Sequence, residues 1–321
     1  MKPNIKILFL DTTHPRLPEM LKESGFECHE SLDSDLHKIK QIIGDYEGII
    51  IRSRIKIDTT LIDLGKKLRF IGRVGAGLEN IDTDYAEKKG IVCINSPEGN
   101  RDAVGEHALG MLLCLLNNIA RANIEVRQGK WIREGNRGIE IKGKTVGIIG
   151  YGNMGSAFAQ RLKGFGATVI AYDKYKFNYT DEFVTEKTLD NLFELTDIFS
   201  IHVPLTAETD YMVNSDFIKK FKKDIYLINT ARGKVVKTDD LVSQIKEGKV
   251  LGAALDVLEY EETSLESLNS ENKKSDAFNF LISSDKVILT PHIAGWTRES
   301  NIKLSEVLAD KIISAFGKKS T

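Results

Sequence analysis

Gly150-Tyr151-Gly152-Asn153-Met154-Gly155 stands near the middle of the chain, directly after the apolar run Thr145-Val146-Gly147-Ile148-Ile149. A second apolar run, Thr168-Val169-Ile170-Ala171-Tyr172, ends at Asp173, 21 residues beyond Gly152. Glycines at this spacing, between a strand and a helix and with an acid closing the next strand, form a dinucleotide-binding fingerprint. Such a unit requires a parallel sheet with helices on both faces. Residues 1–149 precede Gly150, enough for a separate domain. The cofactor half is therefore not the N-terminal half.

A length of 321 residues fits about two domains. The formal net charge is −1, with 45 basic and 46 acidic side chains. That balance argues against nucleic acid or an acidic membrane as the main partner. Cys28, Cys93 and Cys114 are far apart and lack metal or redox spacing, so reduced thiols of a cytoplasmic protein and no metal site are expected. Ile5–Leu10 is too short for a signal core, and the apolar stretch Ala108–Leu116 too short to span a bilayer.

Before the fingerprint, short apolar runs alternate with helical patterns. Ile5–Leu10, Ile49–Ile51, Phe70–Val74 and Ile91–Asn95 read as strands, and Leu17–Ser24 as a helix stopped by Gly25. Asp102–Ala122 reads as one long helix, with Val104, Ala108, Met111, Leu112, Leu115 and Ile119 at helical spacing. It is apolar over much of its circumference, which predicts burial between domains or subunits. From Lys144 onward, strands are expected near 145–149, 168–172, 198–203, 225–229, 250–255 and 287–290. An acidic loop over 259–286, with a short helix around Asp276–Ile282, and a last helix over Arg298–Phe316 complete the pattern. The fold class is α/β, with two doubly wound parallel-sheet domains.

At the cofactor site, Gly150 permits the tight turn, Gly152 lets the backbone approach a pyrophosphate, and Gly155 lets the helix pack close. The helix N-terminus, with Asn153 and Met154, presents free N–H groups to the diphosphate. The Asp173 carboxylate can accept from the ribose hydroxyls and would repel a 2′-phosphate, which favours NAD over NADP.

Three later segments carry charged groups at strand ends: Asn229-Thr230-Ala231-Arg232-Gly233, Ala254-Leu255-Asp256-Val257 leading to Glu261, and Thr290-Pro291-His292-Ile293-Ala294-Gly295. In an open α/β sheet, loops beyond the strand C-termini converge on the ligand crevice. With these segments the chain resembles the NAD-dependent D-isomer-specific 2-hydroxyacid dehydrogenases, from about Ile49 to Ile313. The resemblance implies a catalytic set of Arg232, Glu261 and His292. Neutral His292 would take the hydroxyl proton, Glu261 would fix its tautomer, and Arg232 would grip the carboxylate in fork geometry. The proline usual after that glutamate is replaced by Glu262, which predicts a shifted Glu261 loop. Retention of Glu261 argues against formate as the hydride source.

The resemblance also implies cofactor contacts from His202, Val203, Pro204, Thr209, Thr230, Ala231, Asp256, Ala294 and Gly295, beside the fingerprint residues. It implies a Rossmann dinucleotide-binding domain over 98–291, inserted into a flavodoxin-like substrate domain made of 1–97 and 292–321, with the active site in the cleft between them. A homodimer built through the helix at 102–122 is expected.

Arg52-Ser53 and Arg73-Val74-Gly75-Ala76-Gly77 follow strands of the first domain, and Asn100 precedes the long helix. Arg52, Ser53, Arg73, Gly75, Ala76 and Asn100, with Arg232 and His292, are the candidate substrate contacts. Arg52, Arg54 and Arg73 form a basic cluster larger than a simple hydroxy acid requires, which suits a phosphorylated 2-hydroxy or 2-keto acid. Arg73–Asp82 and Asn95–Asn100 are similar to the phosphoglycerate dehydrogenases of serine synthesis, with Glu79 where an aspartate is usual. The expected reaction is D-3-phosphoglycerate to 3-phosphooxypyruvate. The alternatives are a glyoxylate/hydroxypyruvate reductase, a D-lactate dehydrogenase, or an NAD(H)-sensing corepressor-like binding protein.

Overall fold

Gly48–Ile51 is buried at every residue and Ile198–Ile201 likewise. Runs buried on both faces belong to parallel sheets covered by helices on both sides, and the computed structural model contains two of them. It describes residues 5–32, 34–261 and 275–317. The described residues divide into two compact units, one of 5–32, 34–100 and 296–317, the other of 101–261 and 275–295.

The first unit runs β1 (Lys6–Phe9), α1 (Arg16–Glu23), β2 (Glu27–Glu30), α2 (Leu36–Ile42) and β3 (Gly48–Ile51). It continues with α3 (Thr59–Leu64), β4 (Phe70–Arg73), α4 (Thr83–Lys88) and β5 (Val92–Asn95). All neighbours in the order β2-β1-β3-β4-β5 are parallel. Alternate residues of one strand feed two cores. Ile49 and Ile51 join Ile39, Leu61 and Ala86 on one side. Ile50 joins Leu17, Leu21, Leu308 and Ile312 on the other. Leu308 and Ile312 come from the far end of the chain, which is why the unit is discontinuous.

The second unit begins with α5 (Arg101–Leu116) and α6 (Ile119–Arg127). Then come β6 (Thr145–Ile149), α7 (Asn153–Arg161), β7 (Thr168–Tyr172), β8 (Thr185–Glu186), α8 (Leu189–Leu195) and β9 (Ile198–Ile201). They are followed by α9 (Ser215–Lys219), β10 (Ile225–Asn229), α10 (Thr238–Lys246), β11 (Val250–Leu255), α11 (Asp276–Ser283) and β12 (Val287–Leu289). Helix α12 (Arg298–Phe316) returns to the first unit. The described strands form a seven-stranded parallel sheet, β12-β11-β10-β9-β6-β7-β8. The order turns at β6, whose C-terminus is therefore a switch point where open α/β sheets bind ligands. One face packs Val146, Ile148 and Ile198 with Leu112 and Phe158, and the other packs Ile149, Phe199 and Ile201 with Leu192 and Phe217.

The long helix expected over Asp102–Ala122 is two helices. Asn118 takes the left-handed conformation (φ 54°), and the axis bends by 61° between α5 and α6. Helix α5 is buried through Val104, Ala108, Met111, Leu112 and Leu115, whereas α6 has no buried residue. Ile124 and Val126 of α6 are exposed, as are Trp131, Ile132 and Ile139 in the loop beyond. Among the described residues, no single helix is long and apolar enough to cross a membrane. Glu262 and the rest of 262–274, within the acidic 259–286 stretch, lie outside the described residues.

Candidate active site

Gly150 has φ +89°, donates its N–H to the Tyr172 carbonyl at 2.8 Å, and would bring a Cβ to 2.6 Å from the His202 oxygen. Only glycine meets both demands. A Cβ on Gly155 would lie 2.1 Å from the Gly150 oxygen, so α7 sits as close to the turn as the backbone allows. At Gly152, the N-cap of α7, a Cβ would meet nothing within 4 Å, and no side chain caps the helix. The first-turn N–H groups and the positive end of the helix dipole thus open toward an approaching anion.

Asp173 is already engaged. One carboxylate oxygen accepts from Tyr151 N–H at 2.8 Å, the other from Tyr175 N–H at 2.9 Å and Lys176 N–H at 3.1 Å. These bonds anchor the carboxylate beside the turn while leaving lone pairs for hydroxyl donors. His202 Nε2 lies 2.8 Å from Ser200 Oγ, but its Nδ1 is buried with no protein partner, and so is Thr230 Oγ1. Burial pushes the His202 imidazole down to about 3, so it is neutral at physiological pH. Two orphaned polar atoms, an uncapped helix and a glycine cradle fit a dinucleotide. Thr209 is occupied locally, its hydroxyl donating to the Pro204 carbonyl at 2.6 Å and accepting from Thr206 N–H at 2.8 Å; Val203 packs against the sheet core.

The Asn229–Arg232 turn is fixed by Asn229, a residue with no role in the motif-based site. Asn229 accepts from Ala231 N–H at 3.0 Å and donates to the Arg232 carbonyl at 2.9 Å. The Arg232 guanidinium donates to the Ala231 carbonyl at 2.7 Å.

His292 Nδ1 lies 2.7 Å from a Glu261 carboxylate oxygen, and the second oxygen accepts from Leu258 N–H at 2.6 Å. A carboxylate only accepts, so Nδ1 carries the proton and Nε2 of the neutral ring is an acceptor. The replacement of the usual proline by Glu262 does not separate the pair. His292 itself is left-handed (φ 55°), an uncommon conformation for a non-glycine residue.

Asp256 holds that conformation in place. Its carbonyl accepts from His292 N–H at 2.7 Å, and its carboxylate accepts from Thr290 Oγ1 at 2.5 Å and from Ile293 and Ala294 N–H at 2.9 Å each. His107 of α5 completes the network, with Nε2 3.0 Å from Thr290 Oγ1 and 3.5 Å from the carboxylate. Burial works to raise the Asp256 pKa, but the bonds from His107, Thr290 and the two amides outweigh it and hold it below the ordinary value. The Asp256 carboxylate, expected at the cofactor, is thus engaged by the 290–294 loop, with Ala294 buried beneath it and Gly295 at its end. Neither His107 nor this use of Asp256 is legible from spacing.

In the first unit, Asp11 organises the arginines. One of its oxygens accepts from Arg52 N–H at 2.5 Å, the other from Arg54 Nε at 2.9 Å. Arg54 also donates to the Ser34 and Leu10 carbonyls. Arg54 is therefore a structural residue, which corrects the three-arginine cluster to Arg52 and Arg73. Ser53 follows Arg52 and opens the bend over 53–55, and Arg73 Nε donates to the Arg52 carbonyl at 3.3 Å. Gly75 (φ 151°) donates to Ser96 Oγ at 3.3 Å, and the Ala76 carbonyl accepts from Asn95 at 2.5 Å. Asn100 Oδ1 is buried without a partner.

Residues 109–294 match the family model of the D-isomer specific 2-hydroxyacid dehydrogenase NAD-binding domain. A hydroxypyruvate reductase of Thermotoga maritima is 37% identical over 93% of both chains. A D-3-phosphoglycerate dehydrogenase of Archaeoglobus fulgidus is 34% identical over 97% of this chain but only 57% of its own length. The chain thus spans little more than half of that relative. Among solved structures, the Aquifex aeolicus D-lactate dehydrogenase complexed with NAD and lactic acid superposes with a TM-score of 0.81 at 33% identity, covering 97% of this chain and 95% of that one. Its fold, the glycine turn and the matches along its length make this chain an NAD-binding member of the D-isomer-specific 2-hydroxyacid dehydrogenases.

Proposed function

We propose that the chain interconverts D-3-phosphoglycerate and 3-phosphooxypyruvate in serine biosynthesis, as a cytoplasmic homodimer. The observation that carries the substrate class is Arg52. Its guanidinium donates to none of the described residues, whereas that of Arg54 is fully engaged. An unphosphorylated acid needs one cation for its carboxylate, and Arg232 fills that role; a distal phosphate needs more. Arg52, Ser53, Arg73, Gly75, Ala76 and Asn100 are assigned to substrate, and the 1–97 plus 292–321 part to its binding. The 98–291 part is assigned to NAD.

His292 is the acid–base residue in this reading. With Nδ1–H given to Glu261, Nε2 takes the proton of the substrate hydroxyl, and the imidazolium returns it in the reductive direction. Glu261 fixes the tautomer and balances the charge formed on the ring. NAD, when bound, accepts the hydride of the same carbon. Arg232 orients the carboxylate and draws electron density from the adjacent oxygen.

A second reading is a glyoxylate/hydroxypyruvate reductase, supported by the Thermotoga maritima relative matching over nearly the full length of both chains. The Aquifex aeolicus neighbour supports a D-lactate dehydrogenase in the same way. A non-enzymatic NAD(H)-sensing role has no comparable support. Steady-state NAD reduction separates the two main readings. D-3-phosphoglycerate is expected to exceed D-glycerate and D-lactate in kcat/KM by about 100-fold, the worth of one or two charge-assisted bonds. Equal or lower values with the phosphorylated acid overturn the proposal in favour of the second reading.

A further inference from the structure

The Arg52 main chain is pinned on both sides. Its N–H donates to Asp11, and its carbonyl accepts from Asn80 Nδ2 at 2.9 Å and from Arg73 Nε. The direction of the side chain then depends on what holds the guanidinium. Among the described residues no carboxylate or carbonyl does so. Instead the guanidinium carbon lies over the Trp296 ring, 4.9 Å from its centroid. Trp296 belongs to the same unit and is 70% exposed, so its ring faces solvent as well as Arg52.

The two ways of holding an arginine have different consequences. A carboxylate takes the N–H edge and neutralises the charge, as Asp11 does for Arg54. An aromatic ring attracts the cation through its quadrupole and leaves the N–H edge open. An arginine held by its face is thus both oriented and still able to bind an anion in fork geometry.

We infer that Trp296 is a positioning residue that sets substrate preference: its ring holds Arg52 with the donor edge presented to the distal phosphate of the substrate. This rests on the phosphorylated-acid reading above. Trp296 follows His292 by four residues in the chain, so the loop that carries the acid–base residue also carries the residue that orients the phosphate ligand. A smaller or aliphatic residue at this position leaves Arg52 unoriented, and discrimination between phosphorylated and unphosphorylated acids falls.

The test compares wild type, Trp296→Phe, Trp296→Leu and Arg52→Gln with 3-phosphooxypyruvate and hydroxypyruvate. Loss of a cation–π contact is expected to raise KM for 3-phosphooxypyruvate about 3- to 5-fold in Trp296→Leu, with kcat, KM for hydroxypyruvate and NADH affinity changing little. Trp296→Phe keeps a ring and is expected to restore KM to near the wild-type value. On an Arg52→Gln background, Trp296→Leu is expected to add nothing. A Trp296→Leu enzyme with unchanged KM for 3-phosphooxypyruvate, or with KM raised equally for both acids, overturns the inference alone. A wild-type enzyme without preference for the phosphorylated acid overturns the substrate reading and the inference together.

Discussion

His202 shows how far one buried side chain sets behaviour in acid. Its ring packs against Phe158, its Nε2 meets Ser200, and burial lowers its pKa from the ordinary 6.5 to about 3. The unfolded chain binds a proton there between those values and the folded chain does not. Stability from this group is therefore complete above pH 6.5 and falls as the pH drops toward 3, by about 1.4 kcal/mol per unit. Urea unfolding at about pH 7 and about pH 5 is expected to show about 2 kcal/mol of this loss in wild type and to lack it in His202→Asn. An equal loss in the variant contradicts the assignment. The arginines show what spacing cannot convey at the same scale. Arg52 and Arg54 are two residues apart, yet Asp11, 41 residues before Arg52, binds one through its side chain and the other through its main chain. Similarly, the pairing of His107 with Thr290 spans 183 positions. Residue types and motif offsets locate Glu261 and His292, but which neighbour each polar group engages is decided by tertiary packing.

Among the elements, those with continuous apolar runs are legible and the polar ones are not. Strands β3, β4, β6, β7, β9, β10 and β11 are apolar runs between turn residues, and their expected bounds agree within a few positions. Strand β2, Glu27-Cys28-His29-Glu30, is a partly exposed edge strand with no apolar pattern; among the described residues it pairs only with β1. Strand β8 has two residues and likewise lies on an edge. The short helices α2, α3 and α4 are capped by Asp35, Asp58 and Asp82, a signal present in the sequence but weak without the strands around it. The break at Asn118 leaves no such signal because the apolar periodicity continues through it. Helix α7 gives the sharpest test at this scale. Gly155→Ala places a Cβ against the Gly150 backbone, which cannot yield as a flexible side chain does. The expected outcome is about 1–3 kcal/mol of lost stability in urea and at least about tenfold weaker NADH binding by fluorescence titration, since the N–H groups that face the diphosphate move with the helix. Unchanged NADH affinity contradicts the role assigned to the close packing of α7.

For the whole molecule, the position of the fingerprint carries the most information. A cofactor unit in mid-chain leaves residues on either side to build something else, and Leu308 and Ile312 do pack onto the sheet made by the first hundred residues. For the homodimer proposed above, expected through 102–122, we infer an interface in the segment just beyond, because α5 is largely buried within its own unit while Ile124, Val126, Trp131 and Ile132 face solvent. Sedimentation is expected to give twice the 35.9 kDa chain mass, and Ile124→Glu with Trp131→Glu to give monomers, because burying two unpaired carboxylates in an apolar interface is costly. A wild-type monomer contradicts this reading. In the function proposed above, the Glu261–His292 pair moves the substrate proton in an NAD-linked hydride transfer. The most direct test of this role is the substrate-dependent loss of NADH absorbance near 340 nm in wild type and His292→Gln, with NADH affinity measured in both. The expected result is a fall in kcat of about 10²–10⁴-fold in the variant with NADH bound as in wild type. A variant that turns over at near the wild-type rate removes His292 from the proton transfer.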